Sequence, residues 1–213
     1  ILLSGFYILL YKYTGQNDLI LGNFIANRNY TQCQKLLGFF SNTLAIRQII
    51  DSEHTIQEVI QQVHASLVEA QEYQELPFEK LVEALKVPKD TSRQPLIQAT
   101  FSFQDHASNL VTDHYKPIDK INYKIAKYDL ELFAKTNNAA ISGMFNYASS
   151  LFDERTIQKL TGYYNIILEQ MAENSAQKAS KVKLLSNTEY ENLLSKAGFY
   201  EPITNNSTLI EKF

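Results

Sequence analysis

The sequence predicts an α/β fold of the mixed α+β type, in which helices flank a mixed sheet. Three observations support it: apolar residues recur at helical spacing in some segments, they alternate with polar residues in others, and the predicted strands are partly neighbours and partly separated by helices. Of the 213 residues, 45% are hydrophobic and 20% are charged, which is the composition of a globular domain with a sizeable core.

The chain opens with an apolar segment at residues 1–11. The segment breaks at Lys12, well short of the roughly 20 residues that a membrane-spanning helix needs. It also lacks the basic start and the small-residue cleavage site of a signal peptide. We therefore predict a core helix, apolar on nearly every side, that stops at the turn signal of residues 14–18. Because no initiator Met precedes this pattern, we expect the chain to begin inside a longer protein.

Two strands and two helices are predicted next. The strands cover residues 19–22, a short buried strand, and residues 39–47. Thr55 and Glu58 form a capping-box pattern that begins a helix, and Pro77 begins the following helix at its first turn. Each helix has one apolar stripe, consisting of Ile56, Val59, Ile60, Val63 and Leu67 in the first and of Phe78, Leu81, Val82 and Leu85 in the second.

Residues 95–103 form the clearest predicted strand. Its alternation divides the side chains between a core face and a more polar face. The core set is Ile97, Ala99, Phe101 and Phe103, and the opposite set is Leu96, Gln98, Thr100 and Ser102. Two more strands are predicted at residues 125–133 and 140–147. Asp153 caps the last long helix, whose stripe is Ile157, Leu160, Tyr164, Ile167, Leu168 and Met171.

Charge and cysteine content argue against several kinds of partner. The net charge is −3 and the basic residues are scattered, so the sequence has no basic patch of the kind that nucleic acid requires. Cys33 is the only cysteine, which excludes an intrachain disulfide and favours a reducing, cytoplasmic setting. We therefore expect neither a nucleic acid nor a membrane as a partner.

The sequence predicts no catalytic centre of its own. Its four histidines have neither metal-ligand spacing nor an evident nucleophile beside them; they are His54, His64, His106 and His114. It contains no glycine-rich phosphate loop, zinc pattern or nucleophile elbow. We therefore predict no catalytic residue, no metal and no directly bound cofactor in this chain.

Three motifs resemble those of condensation domains from nonribosomal peptide synthetases. Residues 37–47 resemble IGxFVNTLxxR, residues 74–79 resemble (H/N)QDxPFE, and residues 89–96 resemble RDxSRxPL, in the order and at the spacing of that family. Residues 128–130 and 145–153 fit the same family. The resemblance covers essentially the whole chain.

The resemblance has departures and one omission. Tyr73 stands where the family usually has His or Asn, Ser41 where it has Val, and Lys89 where it has Arg, and these differences bear on the subtype. The family's HHxxxDG motif, whose second His is the presumed catalytic residue, lies upstream in the family and is absent here. The chain therefore resembles the C-terminal half of the domain.

The resemblance implies a lobe like that of chloramphenicol acetyltransferase, in which two similar lobes form a V with a channel between them. Phosphopantetheine arms of carrier proteins would deliver a donor and an acceptor thioester, and the acceptor amine would attack the donor to form an amide. Residues 1–172 would be the C-terminal lobe, and residues 173–213 a linker and the beginning of an adenylation domain. The implied partners are the N-terminal lobe, the donor and acceptor carrier proteins and the adenylation domain.

Gln98, which follows the third motif, is the candidate for the channel wall, because it is polar, lies in mid-strand and belongs to the more polar face. A solvated or cross-strand-bonded glutamine is an equal alternative. Structural roles are expected for the motif residues Gly38, Asn42, Arg47, Pro77, Phe78, Arg93, Pro95 and Asp129. Of these, the two arginines are expected to pair with carboxylates.

Two other functions are compatible with the sequence. One is a relative within the same acyltransferase superfamily, either an epimerisation domain or a CoA-dependent acyltransferase. The other is a catalytically silent module that docks carrier proteins. We further expect the isolated chain to lack condensation activity, and to self-associate weakly through the apolar surface on its channel side.

Overall fold

A computed structural model describes residues 1–88, 90, 92–105, 125–137 and 140–197. Within them five strands form one sheet in the order β2-β1-β3-β4-β5. The outer pairs β1–β2 and β4–β5 are antiparallel, whereas β1–β3 and β3–β4 are parallel. The elements are α1 (Leu2–Thr14), β1 (Asp18–Ile25), α2 (Thr31–Gln34), β2 (Asn42–Ile49), α3 (Ile56–Glu72), α4 (Phe78–Ala84), β3 (Ala99–Asp105), β4 (Leu130–Asn137), β5 (Ala140–Tyr147), α5 (Glu154–Glu173) and α6 (Asn187–Lys196). The predicted α+β class with a mixed sheet is confirmed.

The core lies between one face of this sheet and the helices α1, α3 and α5. Phe145 of β5 contacts both Phe6 of α1 and Tyr164 of α5, with ring centroids 6.0 and 6.1 Å apart. The hydroxyl of Tyr7 donates to the carbonyl of Ile46 in β2 at 2.7 Å. We call this face of the sheet the helix side and the opposite face the cleft side.

The helix ends were well predicted because their signals are local. Gly15 ends α1 in the left-handed conformation, with φ of 73°. Thr55 and Glu58 form the predicted capping box of α3, and Asp153 caps α5 by accepting from the backbone N–H of Thr156 at 2.6 Å. The stripe of α5 is buried as predicted, apart from a half-buried Leu168.

Several strand and helix boundaries differ from the predictions. Strand β1 extends to residue 25, β2 begins at residue 42 and not at 39, and β4 begins at residue 130 and not at 125. In α4, Leu85 is exposed and Leu81 and Val82 are only half-buried, so this helix does not bury the face predicted for it. Pro77 is the N-cap of α4, one position before its first turn.

The alternation predicted for residues 95–103 fails at its start. Leu96 has a positive φ of 66°, and the N–H of Ile97 bonds back to the carbonyl of Pro95 at 2.7 Å, so the regular strand begins only at Ala99. Ile97 is buried on the cleft side, because a Cβ added at Gly22 would lie 3.0 Å from its Cγ2 atom. Phe101 is buried in the helix-side core as predicted, whereas Phe103 is exposed.

Residues 175–183, which we call the strap, pack against the lobe. The carbonyls of Gln177 and Ser175 accept from Ile56 and Gln57 in the first turn of α3 at 2.8 and 2.9 Å. Ala179 and Val182 are buried in the same core as the helices. The division of the chain at residue 172 stays a prediction, and these contacts join the first part of the second region to the lobe.

Candidate functional site

A cleft of about 540 Å³ opens beside the beginnings of β2 and α4. Its walls bring together residues of all three sequence motifs: Phe40, Ser41 and Asn42 from the first, Pro77 and Phe78 from the second, and Gln94 from the third. A larger cleft, of about 680 Å³, lies between α1, α5 and α6 and contains none of the motif residues. The convergence of the motifs makes the smaller cleft the candidate site.

Asn42 joins the two main walls of this cleft. Its Nδ2 donates to the carbonyls of Gln74 and Leu76 at 2.9 and 2.7 Å. Its Oδ1 accepts from the backbone N–H groups of Thr43 and Phe78 at 2.9 and 3.2 Å. Both ends of the amide thus bond to backbone, and these contacts favour the structural role predicted for Asn42.

Arg28 organises the loop that carries the first motif, and sequence reasoning missed it. Its guanidinium donates to the carbonyl of Cys33, to that of Leu36 at 2.9 Å and to that of Gly38 at 3.3 Å. It also lies over the ring of Phe40, with Cζ 4.4 Å from the centroid. No local pattern marks such a residue, because its partners follow five to ten positions later in an irregular loop.

Gly38 lies at a point where space is limited. A Cβ added there would lie 3.0 Å from the ring of Phe40, so a larger residue would push against the aromatic wall of the cleft. The loop therefore depends on the guanidinium of Arg28 and on the small size of Gly38 together.

Both motif arginines pair with carboxylates. Arg47 binds Asp18 through two hydrogen bonds of 2.8 and 2.7 Å and holds the pKa of that carboxyl below its usual range. Arg93 donates to Asp90 at 2.8 Å. The pKa of Asp90 falls to about 2, mainly because the Ser92 hydroxyl and N–H bond to it, with Arg93 adding to the effect. Because both pairs are exposed, each contributes little to stability.

Gln98 and Asp129 lie where β3 and β4 begin. The half-buried side chain of Gln98 donates to the carbonyl of Gln94 at 3.0 Å, while its own carbonyl accepts from the N–H groups of Asp129 and Leu130 at 3.0 and 3.3 Å. Asp129 is half-buried, and its carbonyl accepts from Ala148 at 3.1 Å. Gln98 therefore bonds to a residue of the cleft wall, and its role in a channel stays a prediction. Pro95, also half-buried, accepts the turn-forming bond from Ile97.

Tyr128 forms part of the cleft wall that lies nearest to the sheet. Its ring contacts that of Phe24 at a centroid distance of 5.8 Å. Burial is the main reason that its pKa is raised; a hydrogen bond with Thr43 opposes the rise, and the carboxylates of Glu131 and Glu79 add to it. The phenol therefore keeps its proton at neutral pH and can act as a hydrogen-bond donor in the cleft.

The described histidines lie away from this cleft. His54 precedes α3 and its Nδ1 is buried without a hydrogen-bond partner, while His64 is exposed on α3. His106 and His114 lie outside the described residues. In the part of the chain that the structure describes, no group of three or more His, Cys, Asp or Glu residues could hold a metal. Among the helices of the same part, none is both long enough and apolar enough to cross a membrane.

Comparison with known proteins identifies the family. A family model described as "Condensation domain" matches residues 1–194. The chain belongs to the condensation-domain family. Because the match extends over the first motif, the second motif and the third, the cleft in which they meet is a feature of a condensation domain.

Sequence relatives of this condensation-domain chain are large peptide synthetases. It is 37% identical over 191 residues to surfactin synthase subunit 1 of Bacillus subtilis, a match that covers 89% of this chain and 5% of the relative. It is 34% identical over 196 residues to malpibaldin synthetase of Mortierella alpina, covering 91% of this chain and 4% of the relative. The chain thus spans only a small part of the curated relatives that it matches.

Solved structures share the condensation-domain fold. The chain resembles holo-AB3403, a four-domain nonribosomal peptide synthetase bound to AMP and glycine, with a TM-score of 0.81 and 23% identity over 89% of this chain and 16% of that one. It resembles the condensation domain of the Monacolin K polyketide synthase MokA with a TM-score of 0.74 and 23% identity, covering 84% of this chain and 42% of that one. The X-domain from teicoplanin biosynthesis gives a TM-score of 0.71 at 24% identity over 86% of this chain and 43% of that one.

Proposed function

We propose that this chain is the C-terminal lobe of a condensation domain that forms a peptide bond between two carrier-bound thioesters. The lobe supplies one wall and part of the floor of the channel. The N-terminal lobe supplies the histidine of the HHxxxDG motif. Because amine attack on a thioester is intrinsically feasible, holding both substrates in line accounts for much of the acceleration.

The meeting of the three motifs in one cleft carries this proposal. Their residues are distant in sequence, yet Phe40, Phe78 and Gln94 line the same cavity. The walls are held by backbone contacts of Asn42 and Arg28, so the cleft is formed without a bound substrate. A preformed cleft whose motif residues mainly bond to backbone suits a channel wall that positions substrates.

Length supports the assignment to one lobe. The matched part of this chain corresponds to 42% of the MokA condensation-domain chain. The described residues form one sheet with its helices, which is the unit expected for one of two similar lobes. In our proposal a reaction channel therefore forms only when the second lobe is present.

The proposed partners follow from the same scheme. They are the N-terminal lobe, the donor and acceptor carrier proteins with their phosphopantetheine arms, and an adenylation domain that begins within residues 173–213. We place the synthetase in the cytoplasm, consistent with the single cysteine of this chain. Weak self-association is proposed through the exposed apolar residues around the cleft, such as Leu37, Phe39 and Tyr73.

A reconstitution tests the proposal. The chain alone, and the chain joined to its natural upstream sequence, are each mixed with a donor and an acceptor carrier protein loaded with amino acids. We expect dipeptidyl carrier protein, detected by mass spectrometry, only from the longer protein. Product from the chain alone would contradict the assignment of the base to the other lobe. Absence of product from the longer protein over a panel of amino acids would contradict amide formation.

A second candidate function is a docking module without catalysis. It is favoured by the similarity to the X-domain, which one solved structure shows in complex with OxyB. The same experiment separates the two, because a docking module would bind the loaded carriers in a pull-down and leave them unreacted.

A further inference from the structure

Three polar side chains form a row across the cleft side of the sheet. Gly22 of β1 pairs with Thr100 of β3, Thr100 pairs with Glu131 of β4, and Glu131 pairs with Asn146 of β5. Because directly paired residues point to the same face of a sheet, Thr100, Glu131 and Asn146 are neighbours. We call these three side chains the polar row.

Thr100 and Glu131 of the polar row are buried, Asn146 is half-buried, and the row is incompletely hydrogen-bonded. Thr100 is 1% exposed and Glu131 is 4% exposed. Nδ2 of Asn146 donates to Oε2 of Glu131 at 2.6 Å. Oγ1 of Thr100 is buried and has no hydrogen-bond partner among the residues that the structure describes. A Cβ added at Gly22 would lie 3.0 Å from Cγ2 of Thr100, so the threonine methyl faces β1 and its hydroxyl points away from that strand.

A buried carboxylate in such surroundings needs a cation. Removing a carboxylate from water is costly unless a positive charge and further hydrogen bonds compensate. Among the described residues, Glu131 takes part in no ion pair. Its hydrogen-bond partner there is the side-chain amide of Asn146. One carboxylate oxygen and the adjacent hydroxyl oxygen of Thr100 are left to accept hydrogen bonds.

These groups match the chemistry of an ammonium ion, which carries one positive charge and up to three N–H donors. We propose that the polar row binds a protonated primary amine, held by the carboxylate of Glu131 and by Oγ1 of Thr100. We assign this amine to the free amino group of the acceptor aminoacyl thioester, an assignment that rests on the proposed function. The polar row would thus hold the acceptor amine until the histidine of the other lobe takes one of its protons, after which the neutral amine attacks.

Tyr128 belongs to the cleft wall and lies near the polar row. It is half-buried, forms part of the cleft wall and lies close enough to Glu131 for that carboxylate to affect its phenol. The cleft lining includes the carboxylates of Glu75 and Glu79 and the ammonium group of Lys127.

The test uses the complete synthetase module that contains this chain and two probes that differ only in the amine. The probes are the alanyl and the propionyl thioesters of N-acetylcysteamine, and their binding is measured by calorimetric titration. We expect the unaltered module to bind the alanyl thioester more tightly. Because hydrogen bonds to charged groups are strong, Glu131→Gln should reduce this preference about tenfold and Thr100→Val by a smaller factor. Glu69→Gln, an exposed change on α3, is the matched control and should change nothing.

Each outcome decides the inference. An unchanged preference for the alanyl thioester in a folded Glu131→Gln module would overturn it. If Glu131→Gln does not fold, the test uses Thr100→Val, which preserves the side-chain shape. An unchanged preference for the alanyl thioester in that variant counts against the site. Dipeptide formation is assayed separately. If the module prefers the alanyl thioester but forms no dipeptide, the proposed function alone is refuted. If dipeptide forms and the variants keep the full preference for the alanyl thioester, only the amine site is refuted.

Discussion

The two faces of the same five-stranded sheet are built on different principles. On the helix side, Leu21, Phe101 and Leu132 pack under three helices, and the buried groups are almost all apolar. On the cleft side, Thr100 and Glu131 are buried as deeply, yet one has no hydrogen-bond partner and the other no counter-charge among the described residues. Strand alternation thus places side chains that stabilise the fold and side chains that cost stability on the same strands. Polar groups buried without full compensation are typical of binding sites.

The largest effect expected from this contrast is on the helix side. Phe101→Ala removes a ring from the core and leaves a cavity, so it should lower the free energy of unfolding by about 3–5 kcal/mol. Urea denaturation followed by circular dichroism measures this change. Phe103→Ala, an exposed phenylalanine of the same strand, is the control and should have a much smaller effect. Equal losses in the two variants would show that the helix side is not the main source of stability.

Asn42→Ala tests how far the cleft side is held by backbone contacts. The change removes four hydrogen bonds, three of them to residues 74–78 and one to the N–H of Thr43 within β2, and the expected loss of stability is about 2–3 kcal/mol. Hydrogen exchange should accelerate at the amides of Thr43 and Phe78 more than in α5. Asn192→Ala, an exposed change in α6, provides the control. Uniform acceleration throughout the chain would mean that Asn42 supports the whole fold and not the cleft alone.

Thr100→Val should have a smaller effect of opposite sign. The substitution replaces an unpartnered buried hydroxyl with a methyl group of similar size, which should raise the free energy of unfolding by about 1 kcal/mol. Thr43→Val is the matched control, because Thr43 is only half-buried and the removal of its hydroxyl should not stabilise the protein. A destabilised Thr100→Val protein would indicate that the hydroxyl already has a partner in solution.

The smallest effect is expected from the exposed pair of Asp18 and Arg47. Because Arg47 lowers the pKa of Asp18, the pair stabilises the folded state above the unfolded pKa of about 4. That contribution is lost as the pH falls through the lower pKa of the folded state. Thermal unfolding of the unaltered chain and of Arg47→Met across acidic pH should show a slightly shallower pH dependence in the variant. Identical pH profiles would mean that solvent screens the pair completely.

Sequence reasoning succeeded where structure is set locally or by a regular pattern. The capping box at Thr55, the Asp153 cap and the apolar stripe of α5 follow from signals within a few residues. Strand β5 was also predicted within its observed bounds, residues 140–147.

It failed where one residue breaks a pattern or where partners are distant. The left-handed conformation of Leu96 turns Ile97 to the cleft side, and nothing in a leucine predicts that conformation. The bonds of Arg28 to loop carbonyls and the polar row both depend on tertiary register. Thr100 and Glu131 were placed in or near strands, but their pairing becomes visible only when β3 and β4 are aligned.

The strap has a consequence for the order of events during synthesis of the protein. The first turn of α3 finds two of its hydrogen-bond acceptors at Ser175 and Gln177, which leave the ribosome long after α3 itself. Ala179 and Val182 also pack into the core, and they are synthesised only after α5. Such contacts between distant parts of a chain slow folding, because the loop between them must close before they form. The lobe should therefore reach its native state only once the strap has emerged, and a nascent chain that stalls earlier would expose α3 to chaperones and proteases.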